Sequence, residues 1–502
     1  MTRTGEKGVA LVFTLFLMAA LSAMAVSMMF LAQTETSASR NYKTMSQARY
    51  AGEAGVQRAV HYLSSTAYTN SVTSTSGFDT SVSPVRYSNA DVVLRPVAAN
   101  SNHPDTTIKD AFAALFSGAS LGVGNNATVT YSATATLLSM RQMAVYGGGT
   151  GVIQTWRINA TGTVPGTLPA TVEVAAILER DATAAETYAI FATGGGCAAI
   201  DLGGGAETNS YDSSSMTLSG TPPQPVTQNH SGAVGTNGNL RLVGGQTTVN
   251  GNLDTPRTGV GNCNSGNITA LDGNPPQVTG DTIQLPQAKT YPDPAPPTPT
   301  PPTTPLSIPS ASCTGLGITI PDSCLASGST ITITKNNPLT AISWGNVAVS
   351  GTTNIVITAG ALFGTGAIKL NVNSISLTGN STISLGANTS LTMNVAGTGV
   401  SPDVVDFEGG SFANGSFDPS KFQILYAGTQ RLKLTGGTSA AATVYAPNAA
   451  VQMTGGTDFY GSVLSRTFSA NSHVAMHYDR SLATKFFTLG NNVMSSFSWQ
   501  KY

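Results

Sequence analysis

Val9-Ala10-Leu11-Val12-Phe13-Thr14-Leu15-Phe16-Leu17-Met18 opens a run that stays almost wholly apolar to Ala32 (VALVFTLFLMAALSAMAVSMMFLA), with no charged side chain from Gly8 to Thr34. About twenty such residues are enough to span a bilayer as a helix. Arg3 and Lys7 outnumber Glu6 ahead of the run, which places the N-terminus in the cytoplasm and everything after Glu35 outside it. A secretory signal peptide also joins basic residues to an apolar run, but its apolar part is shorter and ends at a cleavage zone. Here helix-compatible sequence continues: there is no proline before Pro84 and no glycine between Gly8 and Gly52. Ala48, Ala51, Gly55, Ala59 and Tyr62 then recur at steps of three and four, with Val56, Val60 and Leu63 beside them. That is a helical stripe able to dock on a sheet. Residues 9–63 as one helix would be roughly 80 Å long.

The rest of the chain reads as β-structure. Of 502 residues only 10% are charged, and Lys plus Arg (24) nearly balances Asp plus Glu (25). A chain so neutral has no electrostatic footprint for a phosphate backbone, so nucleic acid is excluded as a partner. Disorder is excluded as well, because it pairs low hydrophobicity with high net charge. Between residues 66 and 180, a short helix is expected at 111–116. Alternating strands are expected at 128–138, 152–161 and 171–179. Beyond Ala189 brief alternating runs are punctuated by Gly or Asn, as in Asn239-Leu240-Arg241-Leu242-Val243-Gly244-Gly245 and Arg431-Leu432-Lys433-Leu434-Thr435-Gly436-Gly437. Semi-regular strands of this kind predict a parallel β-helix or solenoid. The dipeptides Asn237-Gly238, Asn250-Gly251, Asp272-Gly273 and Asn414-Gly415 keep an antiparallel sandwich of hairpins open. Residues 292–309 (PDPAPPTPTPPTTPLSIP) favour an extended polyproline path and read as a stiff linker or an excursion.

Four cysteines, Cys197, Cys263, Cys313 and Cys324, lie beyond the first third of the chain, none in a CxxC pair. Zinc-ligand spacing is therefore missing. In an exported chain an even count favours two disulfides, and three connectivities are open. Cys313 with Cys324 closes a short loop, which leaves Cys197 with Cys263. Buried free thiols are the competing reading.

Few residues point to chemistry. Gly118-Ala119-Ser120-Leu121-Gly122 matches the nucleophile-elbow string, but the elbow needs a strand before it and a helix after it. His473 and His477 would share a face of a strand about 13 Å apart, too far to hold one metal. Asp403, Asp406 and Glu408 on an apparent loop could offer oxygens to Ca²⁺, but the EF-hand pattern is missing. His477-Tyr478-Asp479 reads as a structural hydrogen-bond cluster. The expectation is no catalytic residue, no metal and no cofactor.

The residues Lys7-Gly8-Val9-Ala10-Leu11 and Gln47-Ala48-Arg49-Tyr50-Ala51-Gly52-Glu53-Ala54-Gly55 resemble the N-terminal region of PilX-type minor pilins, over about 60 residues. Thr443-Val444-Tyr445-Ala446-Pro447-Asn448-Ala449, Asp458-Phe459-Tyr460-Gly461-Ser462-Val463 and His477-Tyr478-Asp479 resemble the C-terminal β-domain that often follows such N-termini. The resemblance implies cleavage by a prepilin peptidase after Gly8, with Val9 the mature and methylated N-terminus. Major pilins usually carry glutamate as the fifth residue after the cut. Phe13 stands there, which argues against a major filament subunit. The expected fold class is α+β with a large β part. Its divisions are a prepilin-like leader (1–8), a hydrophobic then amphipathic helix (9–65), a pilin-like α/β region (66–188), a first β-rich part of the head (189–291), the Pro-rich segment (292–309) and a β-helix-like domain (310–502). The expected function is a non-enzymatic pilus component partnered by other pilins through its helix, by the inner membrane and by the prepilin peptidase. A membrane-tethered extracellular β-helix protein that binds or cleaves carbohydrate is the alternative.

Overall fold

The computed structural model describes residues 6–501 except 70, 73, 123–127, 147–149, 167–168, 338, 362–366, 438 and 457. Residues 1–5 of the expected leader lie outside the described residues. The chain forms two compact units, one of residues 1–143, 150–182 and 489–502, the other of residues 144–149 and 183–488.

The smaller unit is built on one continuous helix, Glu6–Leu63. Its first half has no partner: Val9, Phe13, Phe16 and Phe30 are all well exposed. Its second half turns the Ala48, Ala51, Val56 and Ala59 stripe inward, and all four are fully buried. The surface they meet is a sheet whose long strands are Thr128–Ala144, Thr150–Val164 and Ala170–Ala184. Each runs several residues past the alternation seen in the sequence. Helix and sheet approach closely because both faces are stripped of side chains. A Cβ on Gly162 would lie 2.0 Å from the carbonyl oxygen of Ala48, and one on Gly52 would lie 2.7 Å from Val174. A shorter helix, Thr106–Phe116, starts five residues earlier than its apolar residues suggest, because the Asp105 side chain accepts from the amides of Thr107 and Ile108.

The last strand of this sheet comes from the other end of the chain. Phe487–Lys501 neighbours Ala170–Ala184, so about three hundred residues are inserted between two adjacent strands. The expected 310–502 division therefore ends too late: its final strand belongs to the smaller unit.

The larger unit is β-rich, and its main sheet is joined by parallel pairing. Along one row, register partners run Ile342, Leu370, Met393, Ile424, Val444 and Val463. Val463 then pairs with Ile190, Ile190 with Val234 and Val234 with Leu253. A second row runs Leu306, Val347, Ile375, Val405, Leu432, Val451, Phe468, Ile200, Leu240 and Leu271. In this sheet like sits on like, so the inward side chains form continuous apolar columns. Asn237-Gly238 and Asn250-Gly251 lie where a neighbouring backbone passes close by, not in hairpin turns. A Cβ on Gly238 would meet the carbonyl of Gly196 at 2.2 Å, and one on Gly251 the amide of Ala233 at 2.5 Å. Glycine is required there because the next coil's backbone passes so near.

The rows also fix the order of the coils. The chain enters at Ile190, in the middle of the stack, and builds outward to Thr282, which pairs with Leu253. It restarts at the far end, where Pro305–Ile308 pairs with residues 346–349, and builds back to Val463 beside Ile190. The Pro-rich segment runs back between these two parts of the sheet, as a stiff linker would. Asn237 clasps Lys289 through two hydrogen bonds of 2.7 and 2.8 Å. Tyr445 and Asn371 donate to the carbonyls of Pro292 and Pro299, and Asn346 to that of Thr303 at 2.8 Å. Seven strand spacings separate the first clasp from the last, roughly 34 Å at about 4.8 Å each. Fourteen polyproline residues reach about 43 Å, whereas the same length of helix reaches about 21 Å. The proline content suits this span, though Pro305 itself sits on a strand that pairs on one side.

A test of the helix–sheet contact follows from Gly162. Gly162→Ala must push the helix off the strand and should cost about 1–3 kcal/mol, read as a lowered denaturation midpoint. Gly122→Ala, with nothing within 4 Å of its Cβ, should leave the midpoint nearly unchanged.

Candidate functional site

The long helix exposes a continuous run of large apolar side chains from Val9 to Leu31. It is apolar enough to cross a membrane, with a mean hydropathy of 2.5 over its best window and no buried residue in that window. Gly8 and Val9 lie within the helix, and Val9 and Phe13 are 59% and 74% exposed. Past the apolar stretch the helix becomes polar on its outer face, where Arg49 pairs with Glu53 at 2.8 Å. Arg58 donates to the Tyr131 hydroxyl at 2.9 Å. Trp499 from the C-terminal strand lies against the Arg49 guanidinium, 5.3 Å from it.

The cysteines join as Cys197–Cys263 and Cys313–Cys324. Sequence separations of 66 and 11 residues make the two bonds unequal. In the chain-entropy account the longer loop contributes about 4 kcal/mol and the shorter about 3 kcal/mol. Serine replacement of the Cys197–Cys263 pair should therefore lower the unfolding midpoint more than replacement of Cys313–Cys324, as measured by denaturant titration of each double variant.

The other candidates are taken up by structure. Ser120 is exposed and opens a short strand, Ser120–Gly122, that follows a helix and pairs with residues 128–130. The elbow needs the reverse order. His473 precedes the strand Ala475–Asp479, so the two histidines do not share it. His477 is buried between Asn209 and Asp458, with its Nε2 3.1 Å from Asp458 Oδ1. That hydrogen bond holds the Asp458 carboxyl below its ordinary pKa. Asp479 accepts from the amides of Ser213 and Ser481, and Tyr478 donates to the carbonyl of Glu186. The triplet thus ties the last coil to the first.

Asp403 and Asp406 lie in a strand rather than on a loop. Arg431 grips Asp403 with two hydrogen bonds, and Lys433 reaches Glu408 at 3.1 Å. The hydrogen bond from Arg431 is the main reason the Asp403 carboxyl titrates low. With their charge met by the next coil, these oxygens form a ladder of ion pairs. Among the described residues no group of three His, Cys, Asp or Glu side chains is placed to hold a metal.

One titratable group gave no signal in the sequence. Glu186 is buried beneath the junction of the first and last coils, where Ser462 donates to it. Burial pushes its pKa up to about 7, against that hydrogen bond. The folded state therefore holds a proton that the unfolded chain releases near pH 4.5. Stability from this group is complete below about pH 4.5 and is lost as pH rises through about 7, by up to about 3 kcal/mol. Glu186→Gln should flatten the pH dependence of the unfolding midpoint between pH 5 and 8, with the wild type losing stability across that range.

A family model described as a domain of unknown function (DUF7305) matches residues 363–485, a quarter of the chain. No curated protein matches. Among solved structures the chain is similar to the competence-associated pilin ComZ from Thermus thermophilus, at 12% identity and a TM-score of 0.27, over 91% of this chain and 98% of that one.

Proposed function

We propose that this chain is a minor-pilin-like structural or assembly component of a type IV pilus or a related filament, without enzymatic activity. The observation that carries the reading is the division of labour along a single helix. Between Val9 and Ala32 it offers almost wholly apolar, exposed side chains, and its second half is bound to a sheet by an alanine and glycine stripe. Such a helix rests in lipid as a monomer and buries the same surface against neighbouring helices when it leaves the lipid. On this reading the helix passes once through the bacterial inner membrane with its N-terminus in the cytoplasm, and the two folded units lie outside. The PilX-type resemblance of residues 7–11 and 47–55 names the neighbours: other pilins along the helix, and a prepilin peptidase at Gly8. The parallel stack is read as a β-helix carried by that anchor, a reading supported by its in-register apolar rows.

Where the chain is cut tests the proposal. A prepilin peptidase acts ahead of the apolar run and keeps the helix, whereas a secretory signal peptidase acts beyond it and frees the protein. N-terminal sequencing of the membrane-extracted protein should begin at Val9. A start near Ala38 would remove the pilin reading.

A further inference from the structure

On the outward face crossed by the return segment, the larger unit has a cleft of about 530 Å³. Its floor is a ladder of polar side chains from three successive coils. Lys369 is the register partner of Thr392, and Thr392 of Gln423, so the three stand one strand spacing apart, about 4.8 Å. One wall is the return segment at Pro296 and Thr298. The other is Tyr146 and Phe486, whose rings pack 4.3 Å apart.

The charge of this cleft is one-sided. Two lysines line it, and no carboxylate does. Lys485 is already held by Asp418 at 2.8 Å. Lys369 is exposed and has no ion-pair partner among the described residues. The glycoside-cleaving arrangement of two carboxylates across one bond is not present among the lining residues. What remains is a binding surface: one unmatched cation, a hydroxyl and an amide at regular spacing, and an aromatic wall.

We propose that this cleft binds an acidic polysaccharide in extended form, lying across the coils. Lys369 takes a carboxylate of the chain, Thr392 and Gln423 meet sugar hydroxyls on successive rungs, and the apolar face of a sugar lies against the half-buried Phe486 ring, which the buried Tyr146 backs from inside. Concave sites that combine apolar walls with a few placed polar groups are the usual form of small-ligand subsites. A nucleic acid fits less well, because a phosphate backbone is held by several cations and this cleft offers one unpaired. The floor residues fall inside the span matched by the domain of unknown function. The proposal is independent of where the N-terminus is cut.

The test uses the full-length chain in detergent micelles and an end-labelled oligogalacturonate, with its methyl ester as the neutral partner. Fluorescence anisotropy should show the acidic oligomer binding at least tenfold more tightly than the ester, with affinity falling as salt is raised. Lys369→Met should weaken binding about tenfold, the loss of one charge-assisted contact. Thr392→Val should weaken it a fewfold, and Lys109→Met, in the smaller unit, should leave it unchanged. Both cleft substitutions point outward from the stack, and circular dichroism matching the wild type keeps a loss of binding interpretable. The proposal is overturned by no binding to the wild type, by equal affinity for acid and ester, by an unchanged Lys369→Met variant, or by tighter binding of oligothymidylate than of the oligogalacturonate.

Discussion

Backbone pairing between coils is the interaction on which the larger unit depends. Each strand is too short to bury its own apolar residues, so they are covered by the strands paired on either side. Parallel pairing in register makes the borrowing efficient, because an inward residue always meets an inward residue. Val444 sits between Ile424 and Val463, and all three are fully buried. The same geometry governs the polar residues. Asn394 donates to Asn371 one coil away, and Asn373 to Asn346, so side-chain amides stack where hydrocarbon would leave backbone unsatisfied. Charges obey it too: Arg431 neutralises Asp403 across one register step. Arg241 likewise meets Asp201 across a register step.

In the smaller unit the controlling constraint is distance. Gly52, Gly55 and Gly162 remove the side chains that would hold the helix away from the sheet, and the alanines between them fill what is left. The larger aromatic residues are placed around this contact. Tyr68 and Trp156 both donate to the carbonyl oxygen of Gln154, at 2.9 and 3.2 Å, which lets two bulky polar rings be fully buried. Burial, with Tyr62 adding to it, drives the Tyr68 hydroxyl well above its ordinary pKa, against the hydrogen bond to Gln154, and keeps it a donor.

Local features of this architecture were legible in the sequence, and long-range ones were not. The helix, its apolar and docking halves, and the alternating strands all follow from periodicity within windows of a few residues. The extent of the short helix was missed although Asp105 is an ordinary capping residue, because the continuous apolar run begins only at Ala111. The Asn-Gly corners were ambiguous, since the same dipeptide serves a hairpin and a tight corner. Which it serves depends on whether a neighbouring backbone passes beside the glycine, as Gly196 does beside Gly238. Coil order, the return path of the prolines and the homing of the last strand to the first sheet depend on contacts between residues hundreds of positions apart. Glu186 was unreadable for the same reason: nothing local marks a glutamate that will lie beneath the meeting of two distant coils. The cleft likewise exists only where three coils, the return segment and residue 146 converge.

The entry of the chain at the middle of the stack has a consequence for biosynthesis. Residues 190–284 leave the ribosome first, yet the coil that covers their inner side, residues 458–479, comes nearly two hundred residues later. Until then Ile190 and Ile200 face water along an open edge that invites other strands. The sheet beside the long helix waits longer still, for a strand that ends at Lys501. Neither unit can close before residues 458–501 are available, and formation of such distant contacts is slow. A nascent chain of this design therefore carries two unfinished strand edges until residues 458–501 have been made.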